Sequence, residues 1–133
     1  MYLLDTDTLI YALKGDPPVV EQFKKVGAVP MAVSIISFGE LLYGAMKSAR
    51  PEKNLARVRH VAELYPVIEI TMGVMETFAS LKTRLERKGT RLDDFDLLIA
   101  STALFLNYRL VTCNERHFNR IPELTVENWA KTS

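Results

Sequence analysis

The chain has 133 residues, of which 48% are hydrophobic and 25% charged, and a formal net charge of +1. A chain of this size and composition is one ordinary globular domain that buries most of its apolar surface unaided, which excludes disordered, fibrous and collagenous classes. Its single cysteine, Cys113, excludes an internal disulfide and, with only two histidines, a four-ligand structural zinc site, while the near-neutral charge decides neither for nor against a nucleic-acid partner.

In chain order, a first strand is expected over Tyr2 to Leu4, then a helix over Thr8 to Lys14. A second helix is expected over Val19 to Val26, after Pro17-Pro18, which suit a helix start. Met31 to Ile35 reads as a strand and Ser37 to Lys47 as a helix. Pro51 opens a helix through Tyr65, with Leu55, Val58, Ala62 and Tyr65 on one face. A strand over Val67 to Ile70 precedes a helix on which Val74, Phe78, Leu81 and Leu85 recur at helical spacing until Lys88-Gly89 stops it. The segment Asp94 to Leu106 has almost no polar face, and predicts a helix buried at the centre. Leu110 to Thr112 is the next strand, and a weaker one lies near Thr125-Val126. Strands alternating with helices predict an α/β fold with a mainly parallel sheet covered on both faces. With no apolar run of about 18 residues and no secretory pattern after Met1-Tyr2-Leu3, the expectation is a cytoplasmic chain that neither spans a membrane nor is exported.

Ligands of such sheets bind beyond the carboxyl ends of the strands, where strand order reverses. Four residues fall at equivalent places there. Asp5 ends the first strand in LLDTDTLIYAL, followed by Asp7. This pair reads as a phosphoryl-accepting nucleophile with its acid, as metal ligands of a nuclease, or as helix caps. Glu40 follows the second strand in Ser37-Phe38-Gly39-Glu40, which also reads as a capping box. Asp96 lies in the first turn of the apolar helix, where Asp93 reads as the cap and Asp96 as its partner. Asp93, Asp94 and Asp96 nevertheless crowd three carboxylates into four residues, and so buried a helix holds charge only where pairing or a metal offsets desolvation. Asn114 follows the Leu110 to Thr112 strand and offers a neutral oxygen. Hard oxygen donors gathered at one sheet edge suit Mg²⁺ or Mn²⁺.

The segments LLDTDTLIYAL, SIISFGELLYGAMKS, RKGTRLDDFDLLIASTALFLNYRLVTCNERHFNRIPEL and VENW, in this order and spacing, resemble the PIN-domain ribonucleases, and specifically the VapC toxins of prokaryotic toxin–antitoxin pairs. The resemblance spans nearly the whole chain. It implies a single-domain, three-layer α/β/α sandwich with about five parallel strands, and a Mg²⁺- or Mn²⁺-dependent endoribonuclease site. The family's first three acids fall on Asp5, Glu40 and Asp96. Its fourth position, often Asp, is Asn114 here, and Asp7 stands where these toxins commonly have Asn. Asp5, Glu40 and Asp96 are therefore the candidate catalytic residues, and with Asn114 and Asp7 the candidate metal ligands. Such a site activates a water and neutralises the scissile phosphate, so no amino-acid nucleophile is needed. The resemblance also implies a structured RNA such as tRNA as substrate, a VapB-like antitoxin as partner, and a homodimer.

Around these residues, Thr6, Thr8 and Thr112 are expected to support the ligands. Cys113 is expected to be a small buried thiol, and His60 and His117 to be surface or packing residues. Lys82 to Arg91 carries Lys82, Arg84, Arg87, Lys88 and Arg91 against Glu86 alone, which makes Arg84, Arg87, Lys88 and Arg91 candidate RNA contacts. Arg50, Lys53, Arg57 and Arg59 form a second basic run. Two other readings stand beside the nuclease. One is a PIN-fold binding module that has lost activity, supported by Asn114. The other is a haloacid-dehalogenase-like phosphatase, which Asp5-Thr6-Asp7-Thr8 also resembles, although Cys113-Asn114-Glu115-Arg116 lacks that family's later acidic pair.

Overall fold

The computed structural model describes residues 1–131. Five strands, β1 (Tyr2–Leu4), β2 (Met31–Ser34), β3 (Val67–Ile68), β4 (Arg109–Val111) and β5 (Val126–Glu127), form one sheet in the order β3-β2-β1-β4-β5, every neighbouring pair parallel. The helices are α1 (Thr6–Leu13), α2 (Pro17–Val26), α3 (Ile35–Lys47), α4 (Pro51–Leu64), α5 (Met72–Arg87), α6 (Asp94–Leu106) and the short α7 (Glu115–Phe118). This is the expected α/β/α sandwich.

Successive strand residues point to opposite faces, and the two cores divide accordingly. Leu3, Ala32 and Leu110 pack with Leu81 and Leu85 of α5, Leu97 and Ala103 of α6, and Phe118. Leu4, Met31, Val33 and Val111 pack on the other face with Leu9, Leu41, Val58 and Trp129. The Trp129 ring meets Tyr2 and Phe23 edge-on, with centroids 5.1 and 5.0 Å apart, and so ties α2 to the sheet. Covered on both faces, β2 is buried at all four positions and shows no polar alternation.

The boundary shifts have local causes. Asp5 Oδ1 accepts a hydrogen bond from Thr6 N, so α1 starts at Thr6 rather than Thr8 and its cap is Asp5, not Asp7. Ser34 Oγ accepts from Ser37 N at 3.0 Å, so α3 starts at Ile35. The capping box expected of Ser37 and Glu40 does not form, and Glu40 lies in the second turn. Because β2 bends into α3 after Ser34, whose partner is Ile68, β3 has no ladder beyond Ile68 and stops short of Ile70. β5 pairs Val126 and Glu127 with Leu110 and Val111, one residue later than expected. The helix over Asp94 to Leu106 has the expected limits. Its middle is buried as expected, but Phe95 and Phe105 overhang the core at its two ends, each 51% exposed. The helix α7 was not expected. No described helix is long and apolar enough to cross a membrane.

The chain steps outward from β1 to β2 to β3, then returns to the other side of β1 at β4. The strand order therefore reverses between β1 and β4, and the crevice beyond their carboxyl ends is where a ligand belongs.

Candidate active site

Asp5 leaves β1 at that crevice and is 6% exposed. Its Oδ1 accepts from Thr6 N and its Oδ2 from Thr112 Oγ1, both at 2.8 Å. Burial, reinforced by the charges of Asp7 and Asp96, pushes its carboxyl up to about 7 in spite of these two hydrogen bonds.

Thr6 links the first acid to the second, because its hydroxyl donates to Glu40 Oε1 at 2.7 Å. Asp7 faces β4, with both carboxylate oxygens 3.2 Å from Cys113 N. The Thr8 hydroxyl lies 3.3 Å from Asp7 Oδ1 and 3.2 Å from Val111 O. Thr112 Oγ1 has one proton and two acid neighbours; at 2.8 Å Asp5 takes it, and Asp7 at 3.4 Å does not. All three threonines thus sit among the acids as expected.

Asp96 enters from the first turn of α6. Asp93 makes no side-chain cap hydrogen bond, so the capping role expected of that pair is absent. Asp96 Oδ2 instead faces His117 Nδ1 at 3.5 Å. Burial raises the Asp96 carboxyl above its ordinary value, His117 opposes the shift, and the charge of Asp93 adds to it. Asn114 donates its backbone N–H to Thr112 Oγ1 at 3.0 Å, and its Nδ2 lies 2.9 Å from His117 Nδ1. His117, expected to be a surface or packing residue, is thus part of the site. His60 is exposed and meets only Glu63. Cys113 is half-buried, and burial followed by the charge of Asp7 pushes its thiol up to about 11, which makes it a poor nucleophile.

The site collects negative charge without basic neutralisation. Among the described residues no lysine or arginine pairs with Asp5, Asp7, Glu40 or Asp96, and the one basic side chain within 4 Å is His117, which pairs with Asp96 only when protonated. A buried Asp5 whose carboxyl is raised by burial and by the charges of Asp7 and Asp96 belongs to a donor set that a hard divalent cation relieves. Among the described residues no three His, Cys, Asp or Glu side chains converge closely enough to hold an ion by themselves. A hydrated ion fits these residues, since Mg²⁺ usually keeps several waters.

The basic candidates divide. Arg84 pairs with Glu123, away from the acids. Arg87, Lys88 and Arg91 are exposed at the end of α5 and in the loop after it. Arg120 Nη1 donates to Arg91 O at 2.8 Å and holds that loop. Lys82 pairs with Asp94 at 2.9 Å beside a cavity of about 290 Å³ that Arg91 and Thr90 also line. On the other face, Ile10, Leu13, Leu41, Ala45 and Val58 line a mainly apolar groove of about 250 Å³, with Glu40, Lys14 and Arg57 also in its wall. In the second basic run, Arg57 donates to Leu13 O and ties α4 to α1.

Residues 2–124 match the PIN domain family. Ribonuclease VapC2 of Rickettsia felis is 36% identical over 135 residues, covering 98% of this chain and 99% of the relative. The tRNA(fMet)-specific endonuclease VapC of Salmonella typhimurium is 34% identical, covering 96% and 97%. Among solved structures, VapBC2 from Rickettsia felis bound to a promoter DNA fragment superposes with a TM-score of 0.89 at 34% identity, covering 96% of this chain and 98% of that one. DNA-bound VapBC from Salmonella typhimurium does so with a TM-score of 0.88 at 35% identity, covering 96% and 97%. The phosphatase alternative falls with these matches. Five parallel strands in this order, acids at the reversal of strand order and relatives matched over nearly their whole length place the chain in the PIN domain family, among its VapC ribonucleases.

Proposed function

We propose that this protein is a Mg²⁺- or Mn²⁺-dependent endoribonuclease, the toxin of a toxin–antitoxin pair, and that it cuts a structured RNA such as tRNA. The observation that carries the reading is the set of unneutralised acids at the reversal between β1 and β4: Asp5, with Asp7 and Asp96 raising its pKa, and Glu40 tied to it through Thr6. Asp5, Glu40 and Asp96, with Asp7 and Asn114 beside them, would hold the ion. A divalent cation there lowers the pKa of a bound water and offsets charge on the scissile phosphate.

The protein's own groups do the rest. Thr112 and Thr6 orient the carboxylates of Asp5 and Glu40. To hold the cation Asp5 would have to be ionised, which would couple binding to pH. No side chain serves as nucleophile: the Cys113 thiol is protonated and the Thr112 hydroxyl is committed to Asp5. Arg87, Lys88 and Arg91, exposed at the end of α5 and in the loop after it, would meet RNA phosphates, whereas Arg84 is paired with Glu123. The silencing partner is a VapB-like antitoxin, and the active unit a homodimer; the solved relatives from Rickettsia felis and Salmonella typhimurium are VapBC complexes.

The test is Asp96→Asn, which deletes a charge and keeps the shape. Total RNA incubated with the parent is cut in Mg²⁺ and spared in EDTA, whereas Asp96→Asn spares it in both while melting like the parent. Mg²⁺-dependent cutting by Asp96→Asn overturns the reading.

A further inference from the structure

Where the family often carries a fourth carboxylate, this chain has Asn114, and the exchange creates a geometric problem. A carboxylate presents an oxygen to a cation whichever way it is turned. An amide has one oxygen and one NH₂, so the wrong flip aims N–H donors at the ion. An asparagine at such a place needs something to fix its orientation.

His117 is so placed. Asn114 and His117 span the gap between buried Asp5 and half-buried Asp96: the backbone N–H of Asn114 donates to Thr112 Oγ1, the hydroxyl that donates to Asp5, and His117 Nδ1 lies 3.5 Å from Asp96 Oδ2. The same Nδ1 is 2.9 Å from Asn114 Nδ2. One nitrogen cannot serve both neighbours. To accept from the amide it must bear a lone pair, with the ring proton on Nε2; to donate to Asp96 it must bear the proton. With the Asn114 amide nitrogen facing the ring, the 2.9 Å contact is of hydrogen-bond length and the 3.5 Å contact is long, so the shorter contact favours acceptance from the amide.

We propose that His117 is a positioning residue that accepts from Asn114 Nδ2 and thereby turns Asn114 Oδ1 toward the acid cluster, making it the neutral fourth oxygen in place of a carboxylate. This rests on the metal-dependent nuclease reading above. It also explains how a chain lacking the fourth charge keeps a fourth donor.

The test uses Mn²⁺ alone as probe, with binding followed by electron paramagnetic resonance on the full chain without RNA. His117→Ala is expected to weaken Mn²⁺ binding about tenfold, at the low end for a lost supporting contact. In His117→Asn the new Oδ1 takes the place of Nδ1, and most of the affinity returns. In the Asn114→Asp background, where the side chain is symmetric, His117→Ala changes little. The parent's His117 tautomer is read separately by long-range ¹H–¹⁵N spectra of the neutral ring, with the proton expected on Nε2. A proton on Nδ1, or an equal loss from His117→Ala in both backgrounds, overturns the proposal. Binding lost in Asp96→Asn but kept in His117→Ala overturns it alone, and binding unchanged in Asp96→Asn overturns it together with the metal reading.

Discussion

Asp5 has a folded-state pKa of about 7 against an ordinary value of 3.8, so its ionisation opposes folding. Below pH 3.8 both folded and unfolded chains hold the proton and nothing is lost. As pH rises from there through 7, the unfolded chain releases its proton first and stability falls, by at most about 4 kcal/mol at roughly 1.4 kcal/mol per unit. Asp5→Asn removes this titration and keeps an oxygen for Thr6 N. In EDTA its melting temperature should therefore gain on the parent's between pH 5 and pH 8, by roughly 4 °C per kcal/mol, although RNA cutting is lost. A gap that stays constant with pH would show that Asp5 is not the strained group. Mg²⁺ should raise the parent's melting temperature and leave that of Asp5→Asn in place. Asp7 is argued differently, because Asp5 is the cap of α1 and Asp7 holds Cys113 N. Asp7→Asn keeps one acceptor for that N–H, so the fold should survive while Mg²⁺ affinity in RNA-cutting titrations drops roughly ten- to a hundredfold; an unchanged titration would make Asp7 a structural clamp only. At this scale Asp5 and Asn114 were legible as residues following strands and Asp96 as one opening a helix, whereas Glu40 lies a turn deeper in α3 than its spacing from Ser37 suggested. His117 was not legible, because its place depends on α7, a single turn with no periodic signal, and on a loop that returns it to Asp96.

Helices were legible to within two residues at most ends because their apolar spacing is strong, and α6 was legible at both. Caps were less so. Ser34 and Ser37 both precede apolar positions, and spacing to Glu40 favoured Ser37, but β2 ends with Ser34 turned to receive Ser37 N. Ser37 Oγ is left as a buried hydroxyl without a partner among the described residues. The two serines therefore respond oppositely to the same change. Ser34→Ala should cost about 1 kcal/mol, up to about 2, as cap losses do. Ser37→Ala removes an unsatisfied polar group and should be neutral or slightly stabilising. Urea denaturation of the two variants measures both, and a larger loss at Ser37 would restore the capping box. The strand ends were the least legible feature. β3 and β5 have two residues each, and their limits follow from where the neighbouring strand stops, which no local pattern records.

For the whole molecule, alternating strands and helices made a parallel sheet legible, while the order β3-β2-β1-β4-β5 was not, because order is set by which helices share each face. That order leaves the acids at one edge and brings Glu40 into the wall of the mainly apolar groove between α1, α3 and α4. Ile10 lines the groove at 39% exposure, with Tyr11, Tyr43 and Met46 exposed nearby on the same helices. An antitoxin segment filling the groove would cover this surface and end against Glu40, so binding and silencing would be one event. Ile10→Glu puts a charge on the groove wall, outside the acid cluster and away from the hydrogen bonds of Asp5 and Thr6. It should weaken capture by a VapB-like antitoxin by at least about tenfold, the equivalent of roughly 1.4 kcal/mol, while the purified variant cuts RNA as the parent does. In cells, co-expression of the antitoxin should then fail to restore the growth that the free toxin slows. Affinity unchanged in calorimetry would place the antitoxin on another face, and loss of cutting with loss of capture would mean that Ile10 supports the site itself.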